Sequence, residues 1–406
     1  MTSPPAEVVL RADAVFTPAE RLADGWVHVR ESRIAAVGSG PAPAANAPVV
    51  RFPAGACVAP GFIDLHVHGG GGAQVGPDPH AIAEMAAFHA RHGTTGLLAT
   101  TAPAPQDTLL DTVRAVAAVA RRPHAEAARV LGCHLEGPFV SPDRPGALEV
   151  RHLRPPDQAE LGRLLDAGGG SVQMVAIAPE LPGALELIAG AAGEGVVVAI
   201  GHTDATYEEA LAGIDRGARA ATHLFNGMRP LQHREPGPAG AALAAPRVTV
   251  ELIADGVHVH PAMVRVVHAA KGPDRVALVT DAMQAAGLPD GDYALGEQQV
   301  VVRGGEARNA SGSLAGSTLT MDRAVRLCVR EAGIPLIDAL IMASATPAAL
   351  LGIGEVTGRL APGADADLVV LDEDLTAIGT MVGGRWAHAD PVLGPLADAA
   401  AAARAR

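Results

Sequence analysis

Lysine, aromatics, cysteine and long apolar runs are all scarce in this chain, and each scarcity excludes something. Lys271 is the only lysine, and Lys plus Arg number 31 against 44 acidic residues, a formal net charge of −13. Nucleic-acid binding draws its affinity from Lys and Arg gathered on one face, so no nucleic acid is expected as a partner. The three cysteines, Cys57, Cys133 and Cys328, are odd in number and far apart, which argues against a disulfide framework and a CxxC zinc set. Charges or glycines interrupt every apolar run before the roughly 18 residues that a membrane helix requires. The opening MTSPPAEVVLRADAV has no basic stretch followed by an apolar one. No membrane partner is expected, and a soluble, cytoplasmic protein is the reading. Two Trp, two Tyr and six Phe are the whole aromatic complement, so Ala, Val, Leu and Gly carry the apolar load. With 49% hydrophobic and 18% charged residues the chain can bury a large core. Its 406 residues suit a barrel of about 250 residues with a smaller domain beside it.

The order of patterns along the chain supports that division. Residues 1–58 read as short strands punctuated by Gly and Pro: EVVLRADAVF, GWVHVRESRIAAVG and APVVRFPAG. From Ala59 the pattern changes to apolar, β-rich runs that end in polar residues and are followed by Ala-rich helical stretches. The runs are GFIDLHVH, TTGLLAT, ARVLGCHLEG, SVQMVAIAPE, GVVVAIGHTD, ARAATHLFN, VTVELIADGVH and RVALVTDAM. Eight strands alternating with helices predict a (β/α)8 TIM-like barrel over residues 59–352, with its active site at the C-terminal strand ends. Strand patterns return in GRLAPGADADLVVLDEDL and IGTMVGGRWAHA. A small β-sandwich domain built from both chain ends, 1–58 and 353–392, is therefore expected, with 393–406 as a low-complexity tail.

The polar residues at the strand ends carry the chemistry. In Asp64-Leu65-His66-Val67-His68 the two histidines are two apart on a strand and face the same way, so both imidazoles can reach one metal ion. Glu136 ends the run GCHLE, His202 follows the run VVVAIG, and His223 follows ARAAT. Two histidines and a carboxylate from three strand ends leave a fourth metal position open, as catalytic metal sites do. Asp281 ends the last barrel run, where a carboxylate can take a proton from an attacking water and return it to a leaving amine. N-capping of the next helix is the plain alternative for an Asp there. Lys271 falls on a helix, which makes it a poor candidate for a carboxylated lysine bridging two metals; a solvated helix end is its expected fate.

Several segments suit a charged ligand. Asn226-Gly227 follows the His223 run, and its backbone N–H groups can meet an anion. Arg234 lies in the loop HREPG, and a guanidinium pairs well with phosphate oxygens. His258 ends ADGVH, and Ser313-Leu314-Ala315 form a small-residue loop ahead of a helix.

Together the motifs PGFIDLHVHGGGG, HLEGPF, GHTDAT, THLFNGM, HREPGPAG, ADGVHVHP, LVTDAM, SLAGS and GRLAPGADADLVVLD resemble those of the amidohydrolase superfamily, in family order from Pro60 to Asp372. HLEGPF, THLFNGM and LVTDAM point within it to the branch that removes the acetyl group of N-acetyl-D-glucosamine 6-phosphate. The resemblance implies that Glu136, His202 and His223 hold a divalent metal, zinc first with iron, manganese or cadmium as alternatives. His66 and His68 then offer a second metal position bridged by Glu136, so one or two ions per subunit are expected. It implies Asp281 as acid/base and His258 beside the acetyl carbonyl. Ala147, Asn226, Gly227, Arg234, Ser313, Leu314 and Ala315 are expected to contact the amino-sugar phosphate. It further implies a homodimer in which Arg234 reaches the partner's site. Where the family carries a Lys-Gly-Ala-His stretch, this chain has Pro145-Gly146-Ala147-Leu148. The galactosamine epimer, a D-aminoacylase-like amidohydrolase and a catalytically silent sugar-phosphate sensor are the alternatives.

Overall fold

The computed structural model describes residues 7–42, 47–124 and 126–393. The chain opens with five strands, β1 (Glu7–Phe16), β2 (Arg21–Arg30), β3 (Arg33–Ser39), β4 (Val49–Arg51) and β5 (Cys57–Pro60). The next strands are β6 (Phe62–Val67), a short hairpin β7 (Gly69–Gly70) and β8 (Ala73–Gln74), β9 (Thr94–Thr101), β10 (Arg129–Glu136) and β11 (Val172–Ile177). They are followed by β12 (Val197–Ile200), β13 (Ala220–Ala221), β14 (Thr249–Ile253) and β15 (Val276–Val279). After these come β16 (Gly291–Leu295), β17 (Gln298–Arg303) and β18 (Glu306–Asn309), then β19 (Leu368–Leu371), β20 (Ala377–Val382) and β21 (Arg385–Ala389).

All eight barrel runs form strands in sequence order, β6-β9-β10-β11-β12-β13-β14-β15, and every pairing is parallel. Parallel strands covered on both faces read as unbroken apolar runs, and Val197–Ile200 and Val276–Val279 are buried throughout. The ends β15 and β6 close through polar groups. The Asp281 amide donates to the His66 carbonyl at 2.8 Å, and Thr280 donates to Asp64 from Oγ1 at 2.5 Å and from its amide at 3.2 Å. The Asp64 carboxyl is fully buried, and burial pushes its pKa up to about 7 against these bonds. Side-chain caps start several surrounding helices where the sequence supplies them. Asp78 accepts from the His80 amide, Asp157 from the Glu160 amide, and Thr206 with Glu209 forms a capping box.

Both chain ends meet in one eight-stranded sheet, β21-β20-β19-β5-β1-β2-β3, with β4 pairing β1. Within it β1 runs parallel to β4 and β5, and the other pairings are antiparallel. Its apolar face packs around Val8, Leu10, Val27, Val58 and Leu368. The Asp-Ala-Asp of the C-terminal motif joins sheet to barrel: Arg129 at the start of β10 donates to Asp365 and Asp367. The tail expected at 393–406 lies outside the described residues from 394 onward. The antiparallel sheet β16-β17-β18, inserted after the last barrel strand, has no counterpart in the sequence reading. Among the described residues no helix is long and apolar enough to cross a membrane.

Candidate active site at the barrel mouth

Glu136 is the last residue of β10, His66 lies inside β6 with His68 just past it, and His202, His223 and Asp281 each stand two residues past the end of a barrel strand. Three of these residues leave their strands in the left-handed backbone region: His202 at φ 45°, His223 at φ 26° and Asp281 at φ 49°. A non-glycine residue there carries roughly 1–3 kcal/mol of strain, and such strain concentrates at functional sites. The turn aims the His202 and His223 side chains at one point and Asp281 at the His66 and His68 rings beside it.

That point is the Glu136 carboxylate. His223 Nε2 lies 2.9 Å and His202 Nε2 3.0 Å from its Oε1. His66 Nε2 lies 3.3 Å from Oε1 and His68 Nε2 3.2 Å from Oε2. Asp281 Oδ1 stands 3.3 Å from His68 Nε2 and 3.6 Å from His66 Nε2. The other ring nitrogens fix the tautomers, because carbonyl and carboxylate oxygens only accept. His68 Nδ1 donates to the Thr100 carbonyl at 3.1 Å, His202 Nδ1 to the Arg144 carbonyl at 3.0 Å, and His66 Nδ1 to Glu251 at 3.1 Å. A neutral imidazole protonated at Nδ1 has a bare lone pair at Nε2. Yet the Nε2 atoms of His66 and His68, both bare in these tautomers, are 3.2 Å apart, and those of His202 and His223 are 3.1 Å apart, with His223 Nδ1 buried and without a hydrogen-bond partner among the described residues. Lone pairs converging on one another and on carboxylate oxygens repel unless a cation lies among them. The donor set therefore fits a divalent metal; of three buried groupings whose donor atoms lie close together, His66–Glu136–His223 and His66–His68–Asp281 face the mouth, and His66–His134–Glu251 lies behind them.

The electrostatics agree. Burial opposes charge on His66 and His68, but Glu136 and Asp281 outweigh it and drive both imidazoles above their ordinary range, His68 to about 9. Burial would raise the Glu136 carboxyl, but His66 and His202 hold it well below the usual carboxylate range. The Asp281 carboxyl is likewise lowered, with His66 and His68 outweighing burial. Metal and proton compete for the same Nε2 lone pairs, so surroundings that favour protonation also favour a cation. His258 stands across the pocket, its Nδ1 donating to Asp255 Oδ2 at 2.7 Å. Burial would lower its pKa, but Asp255 outweighs this and raises it.

A cavity of about 230 Å³ opens above these groups. Of the residues singled out in the sequence, His68, Glu136, Ala147, His202, His223, Asn226, Gly227, His258, Asp281, Ser313 and Leu314 line it. His66 and Ala315 are fully buried behind the wall. Arg234 is exposed on the loop 231–235, away from the cavity wall. Gly227 is held at φ 58°, and a Cβ there would sit 2.7 Å from His202 Nδ1. A side chain at that position would displace the imidazole.

Gly146 and Leu148, from the Pro145–Leu148 stretch, and Gly316, from the small-residue loop after Ser313, also line it, and the sequence reading missed Leu295. Leu295 belongs to the inserted sheet, whose Gln298 donates to the Ala147 carbonyl and so ties that sheet to the Pro145–Leu148 loop. It also missed Glu251, a buried carboxylate inside β14 whose sequence context VTVELIA gives no chemical signal. Lys271 departs from expectation as well. It is no solvated end: its Nζ donates to the carbonyls of Ala242 at 3.0 Å and Ala245 at 2.7 Å, tying off the helix Gly237–Ala244.

Comparisons with known proteins follow the same lines. The N-acetylgalactosamine-6-phosphate deacetylase of Escherichia coli O157:H7 is 40% identical over 368 residues, 90% of this chain and 96% of that protein. The N-acetylglucosamine-6-phosphate deacetylase of Vibrio furnissii is 41% identical over 329 residues, 80% of this chain and 82% of its own. A solved structure of a Mycobacterium smegmatis N-acetyl-D-glucosamine-6-phosphate deacetylase variant, in complex with N-acetyl-D-glucosamine-6-phosphate, superposes with a TM-score of 0.89 at 45% identity. It covers 94% of this chain and 100% of that one. The family model described as "Amidohydrolase family" matches residues 57–387, a span that holds all the converging groups at the mouth, and the chain belongs to the amidohydrolase family.

Proposed function

We propose that this chain is a metal-dependent hydrolase that removes the acetyl group of N-acetyl-D-glucosamine 6-phosphate, releasing acetate and D-glucosamine 6-phosphate. The observation that carries the reading is the convergence of four imidazole Nε2 atoms on Glu136 with Asp281 beside them. The similar proteins named for this reaction supply the substrate class. Glu136, His202 and His223 would hold one ion; His66 and His68, with Glu136 shared, would hold a second. A bound divalent ion supplies Lewis acidity, polarising the amide carbonyl and lowering the pKa of a coordinated water toward about 7. Zinc suits a site built from imidazole and carboxylate, and iron or manganese would be accepted by the same donors.

The protein's own groups do the rest. Asp281, held ionised, takes the proton from the attacking water and delivers it to the nitrogen of the departing amine. His258, biased toward its charged form by Asp255, points a donor at the carbonyl oxygen where negative charge grows. Among the described residues no Lys or Arg lines the cavity, so a phosphate must draw on the Asn226-Gly227 segment and on a cation from elsewhere. We assign that cation to Arg234 of a second copy, which makes the working enzyme a homodimer. Acetate release from the phosphorylated sugar, compared with the unphosphorylated one and with chelator-treated enzyme, tests the whole reading. Turnover confined to the phosphorylated sugar and lost with the metal is the expected result. No turnover with any divalent metal refutes it. The 40% identity to a relative named for the galactosamine epimer favours a second reading, and the ratio of kcat/KM for the two epimers decides between them.

A further inference from the structure

Glu251 is a carboxylate with no exposed surface, set in the middle of barrel strand β14. A buried charge is costly unless it is paired, and no Lys or Arg side chain pairs with it among the described residues. Both contacts of its Oε2 run to the metal centre. His66 Nδ1 donates to it at 3.1 Å, and so does the backbone amide of His223 at 3.2 Å. One oxygen therefore grips two neighbouring members of the donor set, one through its ring and the other through its strained main chain at φ 26°. On the far side of the His66 ring Nε2 faces Glu136 and Asp281, the place where a bound cation would supply the balancing charge.

We propose that Glu251 is a positioning residue of the metal centre. It fixes His66 as the Nδ1-protonated tautomer, makes that imidazole a stronger donor through Nε2, and pins the turn that aims His223. His134 completes the packing beneath, with its ring 4.7 Å from that of His66 and nearly perpendicular to it. His134 Nδ1 donates to the Leu65 carbonyl at 3.1 Å. Carboxylate partners behind ligating histidines are worth about 10- to 100-fold in metal affinity or activity.

The proposal rests on the metal-centre reading, so its test reads metal directly. Zn²⁺ content and affinity are measured by competition with a chromogenic chelator for wild type, Glu251→Gln and Glu251→Ala, with melting curves of the chelator-treated forms alongside. Glu251→Gln keeps shape and hydrogen-bonding capacity but loses the charge, and should weaken Zn²⁺ binding about tenfold. Glu251→Ala also loses the grip on His223 and should weaken it about a hundredfold. Affinities for both within threefold of wild type overturn the proposal. So does failure of both variants to fold while chelator-treated wild type stays folded, because Glu251 is then only a support of the barrel. Wild-type protein that takes up no Zn²⁺ refutes the metal-centre reading itself, a result separable from either.

Discussion

Replacing Gly227 with alanine should cripple the site without harming the fold, and the structure supplies the size of each effect. An alanine at φ 58° costs roughly 1–2 kcal/mol in backbone strain. Its Cβ would also stand 2.7 Å from His202 Nδ1 and 3.0 Å from Cε1, whereas ordinary contact begins at 3.4 Å. The ring must then retreat by about 0.7 Å, the difference between 3.4 and 2.7 Å, stretching its 3.0 Å bond to the Arg144 carbonyl. Misplacing a catalytic group by about 1 Å costs on the order of a hundredfold in rate. The kcat/KM of Gly227→Ala should fall by about that factor, with metal content falling as His202 leaves Glu136. Gly169 provides the control. It sits at φ 53° at a helix end, with nothing within 4 Å of an added Cβ. Gly169→Ala carries the same backbone cost without the clash and should keep full activity and metal content. Steady-state kinetics, metal analysis and melting curves on both variants decide the matter. Equal activity in the two would refute the claim that His202 is held by the space Gly227 leaves.

Asp281→Asn should lower kcat by about 100- to 10,000-fold, the usual worth of a general acid–base group, while metal analysis shows the ion assigned to Glu136, His202 and His223 retained. Arg234→Ala should raise KM for the phosphorylated sugar and leave kcat near wild type, as loss of a uniform binding contact does; an unchanged KM removes Arg234 from the phosphate site. His89 is buried, its Nε2 donating to the Gly69 carbonyl at 2.9 Å, and burial holds its pKa down at about 4 against an ordinary 6.5. The unfolded chain therefore binds the extra proton first, and this contribution to stability is lost as pH falls from about 6.5 toward 4, by about 2 kcal/mol between pH 7 and 5. Urea unfolding at the two pH values should show that loss shrink in His89→Gln, and an unaltered pH dependence would refute it.

How much of this was legible in sequence depended on how local each signal was. The barrel was read because each strand carried its own apolar run, and the donor set because polar residues closed those runs at His66, Glu136, His202, His223 and Asp281. The sheet β16-β17-β18 escaped because GDYALGEQQVVVRGGEARN followed eight strand signals and fell after the expected barrel closure. Leu295 escaped with it, since an apolar residue at a strand end does not announce that a ligand will face it. Lys271 was misread because its partners, the carbonyls of Ala242 and Ala245, lie 29 and 26 residues away and carry no sequence code.

Glu251 marks the deeper limit. In VTVELIA it alternates with apolar residues as any half-exposed strand residue would, so the pattern alone places it facing solvent or another strand. Only closure of the barrel turns that face inward and brings the carboxylate behind a histidine 185 residues earlier. The same closure explains why strained turns at His202, His223 and Asp281 persist. His202 and His223 each lie just after a strand paired on both sides, and Asp281 lies after β15, paired with β14 and tied to β6 through the His66 carbonyl and Asp64. Relaxing one turn would therefore pull its side chain from a cluster that four other strand ends maintain. A cation bound among the converging lone pairs would add to that constraint. Metal removal should therefore loosen these turns together rather than singly, whereas a site assembled on independent loops would loosen piecemeal.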